Sequence, residues 1–170
     1  VEKGMREVTA MLLRMGARPN ARSATGETPL HLAALHADPL FTELLLSAGA
    51  DVKVRNEHGE SALHWAALSG NPETTRRLLA AKGADANLPD QKGNLALHGA
   101  ADGGHDGVAR LLLPRTSEPR SKNSQGLTPG DIARDRGYGD LAKLLDGAPR
   151  GAPSAGPQAA PTQGFGTMDI

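Results

Sequence analysis

Six of the 170 residues are histidines, the side chains best suited to ligate a metal or to move a proton near neutral pH. Three recur in near-identical surroundings at intervals of 33 and 34 residues: Leu30-His31-Leu32-Ala33-Ala34, Leu63-His64-Trp65-Ala66-Ala67 and Leu97-His98-Gly99-Ala100-Ala101. Such spacing places them at one position of successive structural units. No single ion bound at about 2 Å could be reached by all three, so a metal centre is not expected. His36, His58 and His105 follow no period and read as exposed; His58, beside Gly59 at a loop tip, is placed either to contact a partner or to be solvated, with solvation favoured.

Other chemistry is equally sparse. The chain has no cysteine, which excludes disulfide scaffolds, thiolate metal sites and cysteine nucleophiles. No nucleophile elbow, phosphate-cradling glycine loop or His-Glu-x-x-His pair occurs. The polar run Asp102-Gly103-Gly104-His105-Asp106 places its glycine where an inter-helix turn falls, so turn geometry explains it better than catalysis. The residues therefore predict a non-enzymatic protein with no cofactor and no metal. Lysine plus arginine equal aspartate plus glutamate at 19 each. The local balance shifts from five basic against two acidic residues in 1–26 to two against five in 27–59. No continuous basic stripe results, which argues against a nucleic-acid groove. No apolar run approaches the roughly 18–20 residues that cross a bilayer, and Val1-Glu2-Lys3-Gly4 does not open a signal peptide. A cytoplasmic, monomeric protein is expected.

The elements that carry these residues follow from the period. Gly26-Glu-Thr-Pro-Leu-His31-Leu-Ala-Ala34 returns from Gly59, from Gly93 and, in degenerate form, as Gly126-Leu-Thr-Pro-Gly-Asp131-Ile-Ala-Arg134. A leucine core recurs 18 residues beyond each glycine: Leu44-Leu45-Leu46, Arg77-Leu78-Leu79, Leu111-Leu112-Leu113 and Leu144-Leu145-Asp146. Thr28 before Pro29 predicts a capped helix start. Ala37, Gly70, Gly104 and Gly137 mark where that first helix stops. Pro39 and Pro72 open a second helix, and Gly49 and Gly83 close it. Ala and Leu rather than aromatics supply the apolar stock, with Phe41, Trp65, Tyr138 and Phe165 the only four aromatics, so an all-α array with small-residue helix contacts is predicted.

With Thr-Pro-Leu-His and x-Ala at this period, residues 1–146 resemble the ankyrin repeat family. The resemblance implies a solenoid of helix-turn-helix units with finger loops, in which the recurring histidines hydrogen-bond within and between repeats. The expected organisation is a truncated half-repeat over 1–25, four repeats at about 26–58, 59–92, 93–125 and 126–146, and a disordered Gly/Ala/Pro-rich tail over 147–170. The half-repeat predicts further natural chain upstream and a first helix that frays, with Val8, Met11 and Leu12 short of cover. The polar fourth copy, with Asp131, Arg134 and Asp146, reads as a solubilising cap. The third copy carries Pro114 where a closing glycine belongs, so its finger, 115–123, is expected to take its own course. Met168-Asp-Ile170 is a weak match to a carboxylate-terminal ligand.

The resemblance also implies function: partner proteins bind on the concave face made by fingers and first helices. The slot between the histidine and the paired alanines holds Leu32, Trp65, Gly99 and Ile132, a range of sizes that a packed core position would not accept. Trp65 is therefore expected at the centre of the site. Leu32, Leu35, Leu68 and His36 surround it from the helices, and Arg22, Lys53, Arg55, Glu57, Gln91 and Lys92 from the fingers. A scaffold, adaptor or inhibitor is the expected role. The alternatives are a regulatory domain cut from a larger enzyme or channel, and a purely structural array.

Overall fold

The computed structural model describes residues 2–36 and 39–149, with side chains from residue 7 onward. Expectations for Ala37 and for residues 150–170, including Phe165 and Met168-Asp-Ile170, lie outside the described residues.

A lone helix, α1 (Glu2–Arg14), precedes four helix pairs: α2 (Pro29–Leu35) with α3 (Pro39–Ser47), α4 (Ala62–Ser69) with α5 (Pro72–Ala80), α6 (Ala96–Asp102) with α7 (Asp106–Leu112), and α8 (Pro129–Asp135) with α9 (Gly139–Asp146). First helices stack on first helices and second on second, α2 on α4 on α6 on α8 and α3 on α5 on α7. Only a single isolated bridge, Arg55 to Ser61, has strand character among the described residues.

Short helices of seven to nine residues have little stability alone. Here they are held by a linear core. Leu30, Leu63 and Leu97 occupy one buried row, Leu45, Leu78, Leu112 and Leu145 another, and paired alanines at 33–34, 66–67 and 100–101 let the first helices close together. The middle leucine of each predicted core triplet is thus buried and its neighbours are partly covered, except that Leu79 is buried beside Leu78. Proline opens α2, α3, α5 and α8 as its fixed φ and missing N–H allow. Gly70 shows why glycine closes a first helix: φ is +75°, and a Cβ there would lie 2.3 Å from the His105 ring. The next unit's ring rests on the turn.

The third pair departs from the period. Pro114 ends α7 in one turn of 3-10 helix, Leu113–Arg115, and buried Thr116 caps it by donating its hydroxyl to the Leu112 carbonyl at 2.9 Å. On α1, Leu13 packs on the core, whereas Val8, Met11 and Leu12 are exposed.

Candidate functional site

The three recurring histidines are built into the first helices. In each, Nδ1 accepts the backbone N–H of the residue three positions before: Thr28 to His31 at 3.1 Å, Ser61 to His64 at 3.2 Å, and Leu95 to His98 at 3.0 Å. With Nδ1 an acceptor, the neutral ring carries its proton on Nε2. That Nε2–H donates to the next unit, to the Glu60 carbonyl from His31 at 3.0 Å and to the Asn94 carbonyl from His64 at 3.1 Å. His98 varies the pattern: its buried Nε2 closes no hydrogen bond of ordinary geometry, and the backbone of Leu127, at the position of Glu60 and Asn94 one unit on, and of Ser121 lies near enough to favour its protonated form. In the first two units the hydroxyl of the same N–H donor also meets Nδ1, Thr28 to His31 and Ser61 to His64 at 3.0 Å each, a contact that Leu95 cannot make to His98. Burial pushes all three imidazoles below the usual histidine range, and neighbouring carbonyls offset this only in part. In the fourth unit Asp131 replaces the imidazole. Its carboxylate accepts the Thr128 N–H at 3.0 Å and hydroxyl at 2.8 Å, and it also pairs with Arg134. It ties down the helix start without needing a carbonyl from a further unit.

The remaining histidines divide. His36 is exposed and its ring lies 5.4 Å from Phe41; His58 is exposed. His105, expected to be exposed, is half-buried, because its ring fills the space over Gly70 and its Nε2 meets the Leu68 carbonyl at 3.0 Å. Tyr138 lies over Gly104 in the same way one unit later. No group of three or more ligating side chains among the described residues could hold a metal ion.

The first helices and fingers frame one long face. Leu32 (55% exposed), Leu35 (48%) and Leu68 (53%) stand out from α2 and α4 as large apolar groups without cover. Trp65 sits among them half-buried. Its Nε1–H donates to the Glu60 carboxylate at 2.8 Å, and its ring meets His31 edge-on at 5.6 Å. A cleft of about 560 Å³ runs from Trp65 and Leu68 past Gly99 to Ile132, with Glu60, Asp90, Lys92 and Asp102 on its walls.

The finger residues are engaged with one another, mostly through backbone groups. Arg22 donates to the Arg55 carbonyl at 2.7 Å, and Arg55 donates in turn to the carbonyls of Gly59, at 2.7 Å, and Pro89. Gln91 reaches the Glu57 carbonyl at 2.5 Å. The Lys92 carbonyl accepts the Ser124 N–H at 2.8 Å, and the Lys53 N–H donates to Asp51 at 2.9 Å. Arg22 and Arg55, one repeat apart, thus lace successive fingers together.

Two devices escaped the sequence reading. Ser23, Asn56, Asp90 and Asn123, each three residues before a repeat glycine, turn their side-chain oxygens on two backbone N–H groups of the finger tip. Their common offset was the available signal, hidden because three residue types, Ser, Asn and Asp, supply the accepting oxygen for one role. Asn20 and Asn87 staple adjacent units: Asn20 bonds the Gly49 carbonyl at 3.0 Å and the Asp51 N–H at 2.7 Å, and Asn87 bonds the Arg115 carbonyl at 3.1 Å and the Ser117 N–H at 2.7 Å.

A family model for ankyrin repeats in three copies matches residues 1–90 and, in a second overlapping placement, 69–149. A search of curated proteins found no match.

Proposed function

Because the chain belongs to the ankyrin repeat family, whose repeats serve generally as protein–protein interaction modules, we propose that it is a non-catalytic binding module that receives a partner protein on the face of Trp65. We take residues 26–146 as the binding unit, with the half-unit 1–25 packed against it. Leu32, Leu35, Leu68 and His36 are its helix contacts, and Arg22, Lys53, Arg55, Glu57, Gln91 and Lys92 its finger rim. A role as scaffold, adaptor or inhibitor fits a face that binds and carries out no reaction. No helix among the described residues is long and apolar enough to cross a membrane.

The observation that supports this reading is the uncovered apolar row. Leu32, Leu35 and Leu68 are about half exposed on a protein that buries its other first-helix leucines almost completely. Folding does not need them there; exposed apolar patches mark interaction surfaces, and tryptophan is enriched at binding hot spots. The test is capture of partners from native extract by the wild type and by the double variant Leu32→Ser, Leu68→Ser. The variant is expected to lose the captured partner while its stability stays within about 0.5 kcal/mol per site, as for ordinary surface changes. Retention of the same partner by the variant would remove this face from consideration.

A further inference from the structure

Gly99 is the residue in this face that the fold does not explain. It lies in the slot of Leu32, Trp65 and Ile132, inside α6, without a left-handed φ. A Cβ there would meet the Leu68 nitrogen at 3.5 Å and the His64 carbonyl at 3.6 Å, which is ordinary contact. Alanine would fit, and within a helix it is more favourable than glycine. What glycine does is leave open the floor of the cleft between Trp65 and Ile132.

The walls say what fits. Trp65, Leu68 and Ile132 give an apolar lining. Three carboxylates join them, of which Asp102 is paired with Arg136 at 2.6 Å, whereas Glu60 and Asp90 have no ion pair among the described residues; Lys92 is the one ammonium in the lining. The hydrogen bond from Trp65 to Glu60 fixes the indole beside that carboxylate. An aliphatic stem can lie on Leu68 and Ile132 while a charged head meets an indole and two carboxylates that lack a counter-charge, Glu60 held by Trp65 and Asn56 and Asp90 by its finger-tip hydrogen bonds. A purely aliphatic side chain would desolvate those carboxylates without replacing their hydrogen bonds, and an acidic one would face like charge.

Resting on the concave-face reading above, we propose that this cleft receives one cationic side chain, an arginine or lysine presented by a segment of the partner protein. The test selects a displayed random dodecapeptide library on the wild-type full chain, then measures the enriched peptides on variants. Enriched peptides are expected to share an arginine or lysine at one fixed position, with at least a tenfold loss of affinity when that residue becomes leucine. Gly99→Leu, which fills the floor, should abolish their binding while melting no lower than wild type. Glu60→Gln with Asp90→Asn, which keeps the side-chain oxygens and removes the charge, should weaken binding at least tenfold. Enriched peptides with no fixed cation that lose binding on Leu32→Ser, Leu68→Ser overturn the cation assignment and leave the concave-face reading intact. Peptides indifferent to Gly99→Leu and to the leucine variant overturn both, and a library with no enrichment overturns the proposal.

Discussion

At the scale of single residues, the three buried histidines make the fold sensitive to acid. Each is neutral in the folded protein, with its pKa lowered mainly by burial, whereas in the unfolded chain a histidine titrates near 6.5. Below that value the unfolded state takes up protons that the folded state refuses, so the stability these residues support is complete above about pH 6.5 and is lost as pH falls toward the lowered folded values. Urea unfolding between pH 7.5 and 5.5 should therefore show stability falling with acid, with a limiting slope of about 4 kcal/mol per pH unit if all three couple fully. Replacing any one by glutamine should remove about a third of that slope. A stability independent of pH across this range would show that the rings protonate in place. Thr74 offers a second measurement. Its hydroxyl is fully buried without a hydrogen-bond partner, and such a group costs about 1–3 kcal/mol relative to a satisfied one. Thr74→Val keeps the shape and removes the orphan, so a gain of about 1 kcal/mol in urea unfolding is expected.

Among the elements, the helices were legible and the fingers were not. Pro29, Pro39 and Pro72 announce helix starts and the recurring leucines announce buried faces, because a helix is encoded by residues within a few positions of one another. The fingers are held by bonds to the neighbouring unit, such as Arg22 to the Arg55 carbonyl and Asn20 to Gly49. Nothing in a single repeat shows that the acceptor will be there. The same limit explains the site. Leu32, Leu35 and Leu68 could be picked out as apolar residues off the core register, but the cleft depends on Trp65 and Asp90 of the second unit and Ile132 of the fourth meeting around Gly99 of the third. The irregular segment after Pro114 illustrates how much these cross-unit bonds carry. Asn87 bonds both Arg115 and Ser117, where the helix has stopped without a closing glycine. Asn87→Ala should cost about 1–3 kcal/mol, the effect of leaving polar groups unsatisfied. Amide hydrogen exchange should rise first at residues 113–121, and uniform acceleration along the chain would mean that the staple has no local role.

For the whole molecule, the decisive property is that the core is a line. Each unit buries its apolar rows only against its neighbours, so stability is a sum of unit and interface contributions and cooperativity depends on every interface being intact. The alanine rows set the closeness of those interfaces. Ala100 is fully buried in α6, which packs between α4 and α8, and extra methylenes in a packed core typically cost about 1–3 kcal/mol. Ala100→Leu should place that cost at the third unit. Trp65 is the sole tryptophan of the chain and lies in the second unit, on α4, so its fluorescence reports the first half of the array while far-UV circular dichroism reports all helices. In the wild type the two signals should follow one urea transition with a common midpoint. In Ala100→Leu the dichroism should begin to fall before the fluorescence does, as α6 to α9 unfold from units that still hold Trp65. Coincident midpoints in the variant would show coupling strong enough to bind all units into one cooperative block, and the picture of separable interfaces would then fail for this protein.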